Sequence, residues 1–385
     1  MAFSRRITNL KESGTLKVLD RVKELQARGV DIIQLDVGEP DMKTPQNIIE
    51  AAERALEAGF THYTPTAGIP ELRAAIALKL RSENRIEALP VNVIVTPGSK
   101  QALFYSIMAL VDEGDEVLVP TPAWPSYMEM VTVSGGRAIT VPSKDGFAID
   151  IEGLKEAVSP RTRMIILNSP NNPSGHVSSP DEIRGVADLA ADRGIMVLAD
   201  EIYERLIYEG SHLSIGSLDG MADRVITVNG FSKAYAMTGW RLGYAAAPRE
   251  VASAINKLQQ HSASSPTSFV QKAALEALNP ETPVQPMVEE FRRRREYICS
   301  ALQEMGPFRF AKPAGAFYIF PDVTQTGMSG GELSALLLDG GVSTTPGESF
   351  GGFSDNIRIS YANSMEKLME ATKRIRRALG EKKLI

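Results

Sequence analysis

The chain has 385 residues, of which 43% are hydrophobic and 23% are charged, and its formal net charge is −5 at pH 7. This composition is near the average for folded globular proteins and excludes disordered, collagen-like and membrane-embedded classes, while the acidic balance argues against general attraction to nucleic acid or anionic lipid. The single cysteine, Cys299, excludes an internal disulfide, and the basic first residues lack the apolar block of a secretory signal, so we expect a cytoplasmic location.

In chain order, the middle of the sequence predicts strands that alternate with helices. Apolar runs of strand length occur at residues 91–96, 116–119, 137–141, 163–168, 195–199 and 224–229. Because these runs are apolar throughout, they favour strands that are covered on both faces, as in a parallel sheet. Helical spacing is found at residues 101–111, 150–158 and 180–192. The alternation predicts an α/β domain of three layers with a mainly parallel central sheet.

A change of composition near residues 279–283 predicts a second, smaller domain. A long charged helix follows, then strand-like segments at 316–320 and 356–360 and a final helix at 365–379. An amphipathic segment at 13–29 is expected to pack on this α+β unit. We therefore predict an N-terminal segment of residues 1–35, a large domain of residues 36–282 and a small domain of residues 283–385. The four arginines at 292–295 are expected to form a solvated helix face rather than a phosphate-binding patch.

Polar residues follow several of the predicted strands, at the sheet edge where ligands bind in open α/β folds. These segments are Pro97-Gly98-Ser99-Lys100, Ser169-Pro170-Asn171-Asn172-Pro173, Asp200-Glu201-Ile202-Tyr203 and Gly230-Phe231-Ser232-Lys233. Each alone has an ordinary structural explanation, such as a turn, a helix cap or an exposed lysine. Together they place a phosphate-binding turn, a carboxylate, a phenol, an amide and a lysine at one edge.

The lysine at this edge indicates carbonyl chemistry. A lysine that forms an imine needs a carbonyl partner, and the usual partner in enzymes is pyridoxal 5'-phosphate (PLP). Arg241 follows Lys233 in the same segment, and its forked guanidinium suits a phosphate dianion better than an ammonium does.

The segment Ser-Lys-Ala-Tyr-Ala-Met-Thr-Gly-Trp-Arg-Leu-Gly at 232–243 resembles the lysine segment of fold-type-I PLP-dependent aminotransferases of class I/II, in the aspartate aminotransferase family. Further matching motifs lie at residues 38–41, 63–73, 168–175, 200–203 and 358–362, so the resemblance covers nearly the whole chain. It implies the PLP-transferase fold, PLP as cofactor, and transfer of an amino group between an L-amino acid and a 2-oxo acid. It also implies a homodimer with shared active sites.

The resemblance implies roles for residues around the cofactor ring. Lys233 would hold the cofactor as an imine and then move the substrate proton. Asp200 would pair with the pyridinium nitrogen, and Tyr203 and Asn172 would hydrogen-bond the ring hydroxyl. Trp124 would stack on the ring, although a tryptophan in the core is the structural alternative.

The resemblance also implies a phosphate site. Its expected members are Gly98, Ser99, Lys100, Ser232 and Arg241. Tyr63 would reach the phosphate from the partner subunit. Many relatives carry a serine three positions before the lysine, where this chain has Gly230, so one phosphate hydrogen bond is missing here or comes from the backbone.

Arg358 is expected to bind the substrate α-carboxylate, assisted by Gly38, Trp124 and Asn172. Ser13, Thr15 and Lys100 resemble the residues with which one subgroup of aspartate aminotransferases holds the side-chain carboxylate. Lys100 could equally serve as a cation beside the phosphate. Aspartate with 2-oxoglutarate is the first choice of substrates, and prephenate, aromatic amino acids, alanine and kynurenine remain open.

Other functions are weaker candidates. A PLP-dependent carbon–sulfur lyase would share the fold and most PLP-binding residues. A nicotinamide-dependent dehydrogenase lacks its Gly-x-Gly-x-x-Gly signature here, and the intact lysine argues against a non-catalytic binding domain. The four histidines, His62, His176, His212 and His261, lack the spacing of metal ligands, so no metal is predicted, and Glu201 and Glu204 are expected on the solvent side.

Overall fold

The computed structural model describes residues 3–11 and 14–384, without the side chains of Arg5, Leu19 and residues 14–17. Its strands are β1 Ile33–Gln34, β2 Val93–Thr96, β3 Glu116–Thr121, β4 Arg137–Pro142, β5 Thr162–Asn168, β6 Met196–Asp200, β7 Val225–Gly230, β8 Gly243–Ala246, β9 Tyr318–Ile319, β10 Val342–Ser343, β11 Thr345–Pro346 and β12 Ile357–Ser360. Across the described residues, no helix is both long enough and apolar enough to cross a membrane.

The described residues also contain α-helices along the chain. They are α1 Arg5–Thr8, α2 Gly14–Ala27, α3 Gln46–Glu57, α4 Pro70–Asn84, α5 Ser99–Leu110, α6 Ser126–Ser134, α7 Ile151–Ala157, α8 Pro180–Arg193, α9 Arg249–Gln260, α10 Ser268–Ala277, α11 Gln285–Met305, α12 Gly330–Asp339 and α13 Met365–Glu381. The three helices predicted between strands correspond to α5, α7 and α8. The predicted final helix corresponds to α13.

A seven-stranded sheet in the order β2-β8-β7-β6-β5-β3-β4 forms the centre of the molecule. All its pairs are parallel except those of β8, which is antiparallel to β2 and β7. Along β5, Met164 and Ile166 join a core with α5, α6 and α9, whereas Ile165 and Leu167 join a core with α7 and α8. Both faces are therefore covered, and the predicted α/β fold of three layers with a mainly parallel sheet is confirmed.

Some elements are not visible in the sequence pattern. β8 was not predicted, because Gly243-Tyr244-Ala245-Ala246 contains no β-branched residue and gives no strand signal. The predicted strand at 91–96 begins only at Val93, because Pro90–Asn92 forms a short 3-10 turn. Helices α1, α3, α4, α6, α9, α10 and α12 and the short strands β1, β10 and β11 were also not predicted.

The C-terminal part contains a small antiparallel sheet in the order β11-β12-β9, together with α11, α12 and α13. β1 joins this part by pairing in parallel with β10, so that Ile33 lies opposite Val342. This pairing supports the predicted association of residues 1–35 with the small unit. The domain limits at residues 36 and 283 stay a prediction.

The four arginines of α11 do not form a solvated face, so that prediction is wrong for two of them. Arg294 and Arg295 are buried, with relative exposures of 5% and 2%. Arg294 Nη1 lies 2.6 Å from Asp41 Oδ1, and Arg295 Nη1 donates to Pro313 O at 2.8 Å. One face of the helix is covered by other parts of the chain, and carboxylates and carbonyls there pair with both guanidinium groups, although Arg295 Nε has no partner among the described residues.

Glu201 is also buried, and only 10% of the Glu204 side chain is exposed, so the prediction that both face solvent is wrong. The chain turns after β6 instead of forming a helix, and this turn directs both carboxylates toward α4. There Lys79 forms an ion pair with Glu204, and Asn84 Nδ2 donates to Glu204 Oε2 at 2.6 Å. His212 Nε2 lies 3.1 Å from Glu201 Oε2.

This cluster has the composition of a metal site, because ligand atoms of Glu201, Glu204 and His212 lie within 4.8 Å of one another. Its positive charge is supplied by the ammonium of Lys79, which contacts Glu204 directly. Burial lowers the pKa of His212, but the neighbouring Glu201 carboxylate outweighs this effect, so the pKa is raised overall. The cluster is therefore a buried ion network that anchors the turn after β6.

We predict that Lys79→Met lowers the free energy of unfolding by about 3–5 kcal/mol, because it leaves the buried Glu204 carboxylate without its cation. The change is measured as a shift of the urea midpoint. Lys79→Met combined with Glu204→Gln should recover much of the loss. Lys155→Met is the control, because it breaks the exposed pair with Glu152, and it should change stability by less than about 1 kcal/mol. Equal shifts for Lys79→Met and Lys155→Met would contradict this assignment.

Candidate active site

A cavity of about 560 Å³ opens at the carboxyl edge of the parallel strands, where it meets the C-terminal unit. This volume is in the usual range for a small-molecule site. Eleven of the residues predicted from the sequence line it: Gly38, Ser99, Lys100, Trp124, Asn172, Asp200, Tyr203, Ser232, Lys233, Arg241 and Arg358. The structure thus brings together residues that lie as far apart in the chain as positions 38 and 358.

Lys233 lies in the loop that follows β7, with its amine directed into the cavity. Its Nζ donates to Gly38 O and lies 5.8 Å from the centre of the Tyr203 ring. Burial lowers the pKa of Lys233 to about 8, although the Glu39 carboxylate acts in the opposite direction. A larger share of this amine is therefore neutral near physiological pH than of a free lysine, as a nucleophile or proton acceptor requires.

Asp200 is the last residue of β6, and its carboxylate lies in the cavity wall. Tyr127 Oη donates to its Oδ2 at 2.6 Å, and the backbone N–H of Ile202 donates to its Oδ1 at 3.2 Å. Burial raises the pKa of Asp200 to about 6. A cation in the cavity, such as a protonated pyridine nitrogen, would stabilise the ionised carboxylate.

The cavity also contains an anion site, at the N-terminus of α5. Gly98 precedes this helix with a φ of 80°, and the free N–H groups of the first turn are suited to a phosphate. A Cβ atom at Gly98 would lie 2.5 Å from Arg241 Nη2, so only glycine allows the guanidinium to approach the backbone this closely. Ser232 and Lys100 line the same cavity.

The structure explains why glycine occurs at position 230. A Cβ atom there would lie 2.5 Å from Ser99 Oγ and 2.9 Å from Gly243 Cα. Ser99 Oγ is fixed in this position by a hydrogen bond of 2.9 Å to Asn229 O. A serine at position 230 has no room, because the Ser99 side chain and the close β8 backbone take up the space.

Arg358 on β12 is a second cationic group of the cavity and is buried. Its Nη1 donates to Asn172 Oδ1 at 3.0 Å, and its Nη2 donates to Asp36 O at 2.6 Å. The guanidinium carbon lies 4.6 Å from the centre of the Tyr318 ring. Within the described structure, Nε is buried and has no hydrogen-bond partner. A guanidinium held in this way suits a carboxylate.

Lys100 and Trp124 form a further side of the cavity. Lys100 Nζ lies 4.7 Å from the centre of the Trp124 ring. Burial and the nearby Arg241 lower the pKa of Lys100. Trp124 lies in the cavity wall and also packs against the core that contains α5 and α6, so its stacking role stays a prediction.

The predicted residues that remain are Tyr63, Ser13, Thr15 and Gly98. Tyr63 is 91% exposed and lies outside the cavity. Ser13 is outside the described residues, and so is the side chain of Thr15. Gly98 contributes backbone at the edge of the site.

Sequence reasoning missed two tyrosines of the site. Tyr127 donates to Asp200, and Tyr318 Oη lies 2.8 Å from Tyr203 Oη. Tyr318 occurs in a short strand that was predicted, but the strand pattern gives no information on which phenol its side chain meets. Tyr127 lies close to Trp124 in the sequence, and this closeness is the signal that could have indicated Tyr127 as a site residue.

The groups of the cavity match the parts of PLP. The amine of Lys233 suits its aldehyde, the buried carboxylate of Asp200 suits its ring nitrogen, and the helix N-terminus with Arg241 suits its phosphate. The cavity leaves Arg358 for a substrate carboxylate.

Comparison with known proteins agrees with this chemistry. The family model for aminotransferase class I and II matches residues 30–375. An aspartate aminotransferase of Pyrococcus abyssi is 44% identical over 100% of both chains, and an aspartate/prephenate aminotransferase of Thermus thermophilus is 42% identical over 98% of this chain and 99% of the relative.

A solved structure of the aspartate aminotransferase from Thermus thermophilus with maleate superposes with a TM-score of 0.95, at 42% identity, over 98% of this chain and 100% of that one. These matches decide against the nicotinamide-dependent dehydrogenase. The enzyme uses PLP and transfers amino groups, as the sequence predicted. The chain belongs to the class I and II aminotransferase family.

Proposed function

We propose that this aminotransferase moves the amino group of L-aspartate to 2-oxoglutarate in two alternating half-reactions. The observation that carries the proposal is that one cavity holds a desolvated lysine amine, Lys233, together with two separate cationic side chains, Arg358 and Lys100. Two cations suit a substrate with two carboxylates. The relatives named aspartate aminotransferase support the choice.

Bound PLP supplies an electron-accepting ring, which makes loss of the substrate α-proton possible. Arg358 and Asn172 bind the α-carboxylate and so orient the Cα–H bond toward Lys233. Lys233 Nζ, as a neutral amine, accepts that proton and later releases it. Asp200 stabilises a positive charge at the ring nitrogen through its carboxylate. Tyr203 and Asn172 donate to the ring hydroxyl.

The anion site forms the other end of this arrangement. Ser99, Ser232, Arg241 and the N–H groups at the start of α5 bind the phosphate, with the backbone of Gly98 beside them. This fixed end keeps the ring in register with Lys233 and Asp200. Trp124 covers one side of the ring.

In this proposal, Lys100 determines substrate specificity by binding the side-chain carboxylate of the substrate. Ser13 and Thr15 are expected to bind the same carboxylate. Prephenate also carries a second carboxylate, and a relative from Thermus thermophilus is named aspartate/prephenate aminotransferase. The same cation therefore makes prephenate the second candidate substrate. An aromatic-amino-acid aminotransferase of Thermococcus litoralis is 41% identical, but an aromatic side chain alone does not use the charge of Lys100.

We predict that aspartate, added without an oxo acid, converts the bound cofactor to its amine form and releases one oxaloacetate per subunit. Lys100→Met should slow this half-reaction about 10- to 100-fold, because a charge-assisted hydrogen bond to the side-chain carboxylate is lost. The absorbance of the cofactor in single-turnover experiments measures both the extent of its conversion and the rate of the half-reaction.

Alanine is the matched control substrate, since it lacks the second carboxylate, and its rate should be nearly the same in both enzymes. Equal losses for aspartate and alanine would place Lys100 at the phosphate instead. A carbon–sulfur lyase would leave the cofactor unconverted with aspartate and would release ammonia only from an amino acid that carries a C–S bond, and this pair of results would overturn the proposed function.

We also propose a homodimer in the cytoplasm, in which Tyr63 reaches the phosphate of the other subunit. The exposure of Tyr63 supports this arrangement, because a phenol that is 91% exposed in one chain is free to enter a neighbouring site. The single cysteine agrees with a reducing compartment.

Hybrid dimers test the shared site. A dimer of one Lys233→Ala chain and one Tyr63→Phe chain should retain one site of normal PLP affinity, because the active lysine then meets the unchanged Tyr63 of its partner. If one chain carries both substitutions, the other chain's lysine meets phenylalanine, and its affinity should fall about tenfold. Fluorescence titration with PLP measures the affinity of each hybrid dimer. The reverse order of affinities would show that Tyr63 acts within its own chain.

A further inference from the structure

Tyr203 and Tyr318 face each other in the cavity as a pair of phenols. Their oxygen atoms are 2.8 Å apart, and the rings meet edge to face at an angle of 83°. Both side chains are buried and both line the cavity. In the described structure, neither oxygen has another hydrogen-bond partner in the protein. The two hydroxyls therefore depend on each other until a ligand enters.

Each phenol has one proton to donate, and this decides the direction of the pair. If Tyr203 donates to Tyr318, it has no proton for an acceptor in the cavity. If Tyr318 donates to Tyr203, the Tyr203 proton is free to point to such an acceptor. A hydroxyl that accepts a hydrogen bond also becomes a stronger donor, because the two bonds polarise each other.

The place of Tyr318 is fixed from several sides. Its backbone belongs to β9, where it lies opposite Ser360 of β12. Its ring packs against the Arg358 guanidinium at 4.6 Å. A Cβ atom at Gly38 would lie 2.5 Å from Tyr318 Oη, so the hydroxyl rests against the Gly38 backbone. This packing leaves the hydroxyl little freedom to turn away from Tyr203.

We propose that Tyr318 is a positioning residue that donates its proton to Tyr203 and so directs the Tyr203 proton to the ring hydroxyl oxygen of PLP. The inference rests on the proposed function, in which Tyr203 contacts that oxygen. Tyr318 strengthens a hydrogen bond that favours the anionic form of the ring oxygen. It thereby lowers the pH at which the linkage between Lys233 and the cofactor loses its proton.

Other charged groups face the pair and remain in place in the test. Arg358 lies against Tyr318 from β12, Asp200 ends β6 beside Tyr203, and Lys233 lies over the Tyr203 ring from the loop after β7. Replacement of Tyr318 by phenylalanine keeps the ring that packs on Arg358 and removes only the hydroxyl. The change therefore isolates one hydrogen bond.

The test is a pH titration of the visible absorbance of the PLP-loaded enzyme. Tyr318→Phe should raise the apparent pKa of the Lys233–cofactor linkage by about half a pH unit, and Tyr203→Phe should raise it by about one unit or more. In the double variant Tyr203→Phe/Tyr318→Phe, the second change should add almost nothing, because the phenol it acts through is gone.

Tyr361→Phe is the matched control. Tyr361 is buried in the same unit, and its hydroxyl donates to Ala316 O at 3.4 Å outside the cavity, so the titration should not move. Gly38→Ala is an independent variant that keeps both tyrosines. Its added methyl group should displace the Tyr318 hydroxyl and so raise the pKa of the linkage. This variant tests the proposal even if Tyr318→Phe does not fold.

Several results would overturn the assignment of Tyr318. The first is an apparent pKa of the linkage that is unchanged in Tyr318→Phe, and the second is an unchanged pKa in Gly38→Ala. The third is a rise of this pKa on replacing Tyr318 that is equally large whether residue 203 is tyrosine or phenylalanine. A wild-type protein that never acquires the cofactor absorbance would overturn the proposed function first, and the role of Tyr318 with it. The two failures are therefore distinguishable.

Discussion

The candidate active site depends on the burial of two groups of opposite charge in one cavity, the amine of Lys233 and the carboxylate of Asp200. Burial lowers the pKa of Lys233 to about 8 and raises that of Asp200 to about 6, so both groups are destabilised in their charged forms. A ligand that offers a carbonyl to the amine and a cationic nitrogen to the carboxylate relieves both effects. PLP has these two features, and its phosphate matches the N-terminus of α5.

The parallel sheet and the C-terminal unit contribute different parts of the site. Strands of the sheet end at residues that we propose to contact the cofactor, such as Asp200 on β6 and Lys233 after β7. The C-terminal unit supplies Arg358 and Tyr318, which face the substrate and the Tyr203 hydroxyl. The cavity lies between the parallel sheet and the C-terminal unit. In the proposed function, the sheet therefore positions the cofactor and the C-terminal unit positions the substrate.

Part of the site, including Ser99, Asp200 and Lys233, could be predicted because these residues follow strand ends at one edge of the sheet. Gly38, Trp124 and Arg358 were expected only from the resemblance to the aminotransferase family. Tyr318 could not be predicted in this way, because its hydrogen bond joins residues 115 positions apart. Periodicity also failed for Arg294, Arg295 and Glu201, which are buried against other parts of the chain. A local pattern shows that a residue is polar, but it does not show which distant partner will satisfy the charge.

The central claim is that the Lys233 amine is the group that binds the cofactor covalently. Reduction of the PLP-loaded enzyme with borohydride, followed by proteolysis and mass spectrometry, tests it most directly. We expect the reduced cofactor on the peptide that contains Lys233, and no stable adduct elsewhere. Reduced cofactor attached to Lys100 or to another lysine, with Lys233 unmodified, would contradict the account.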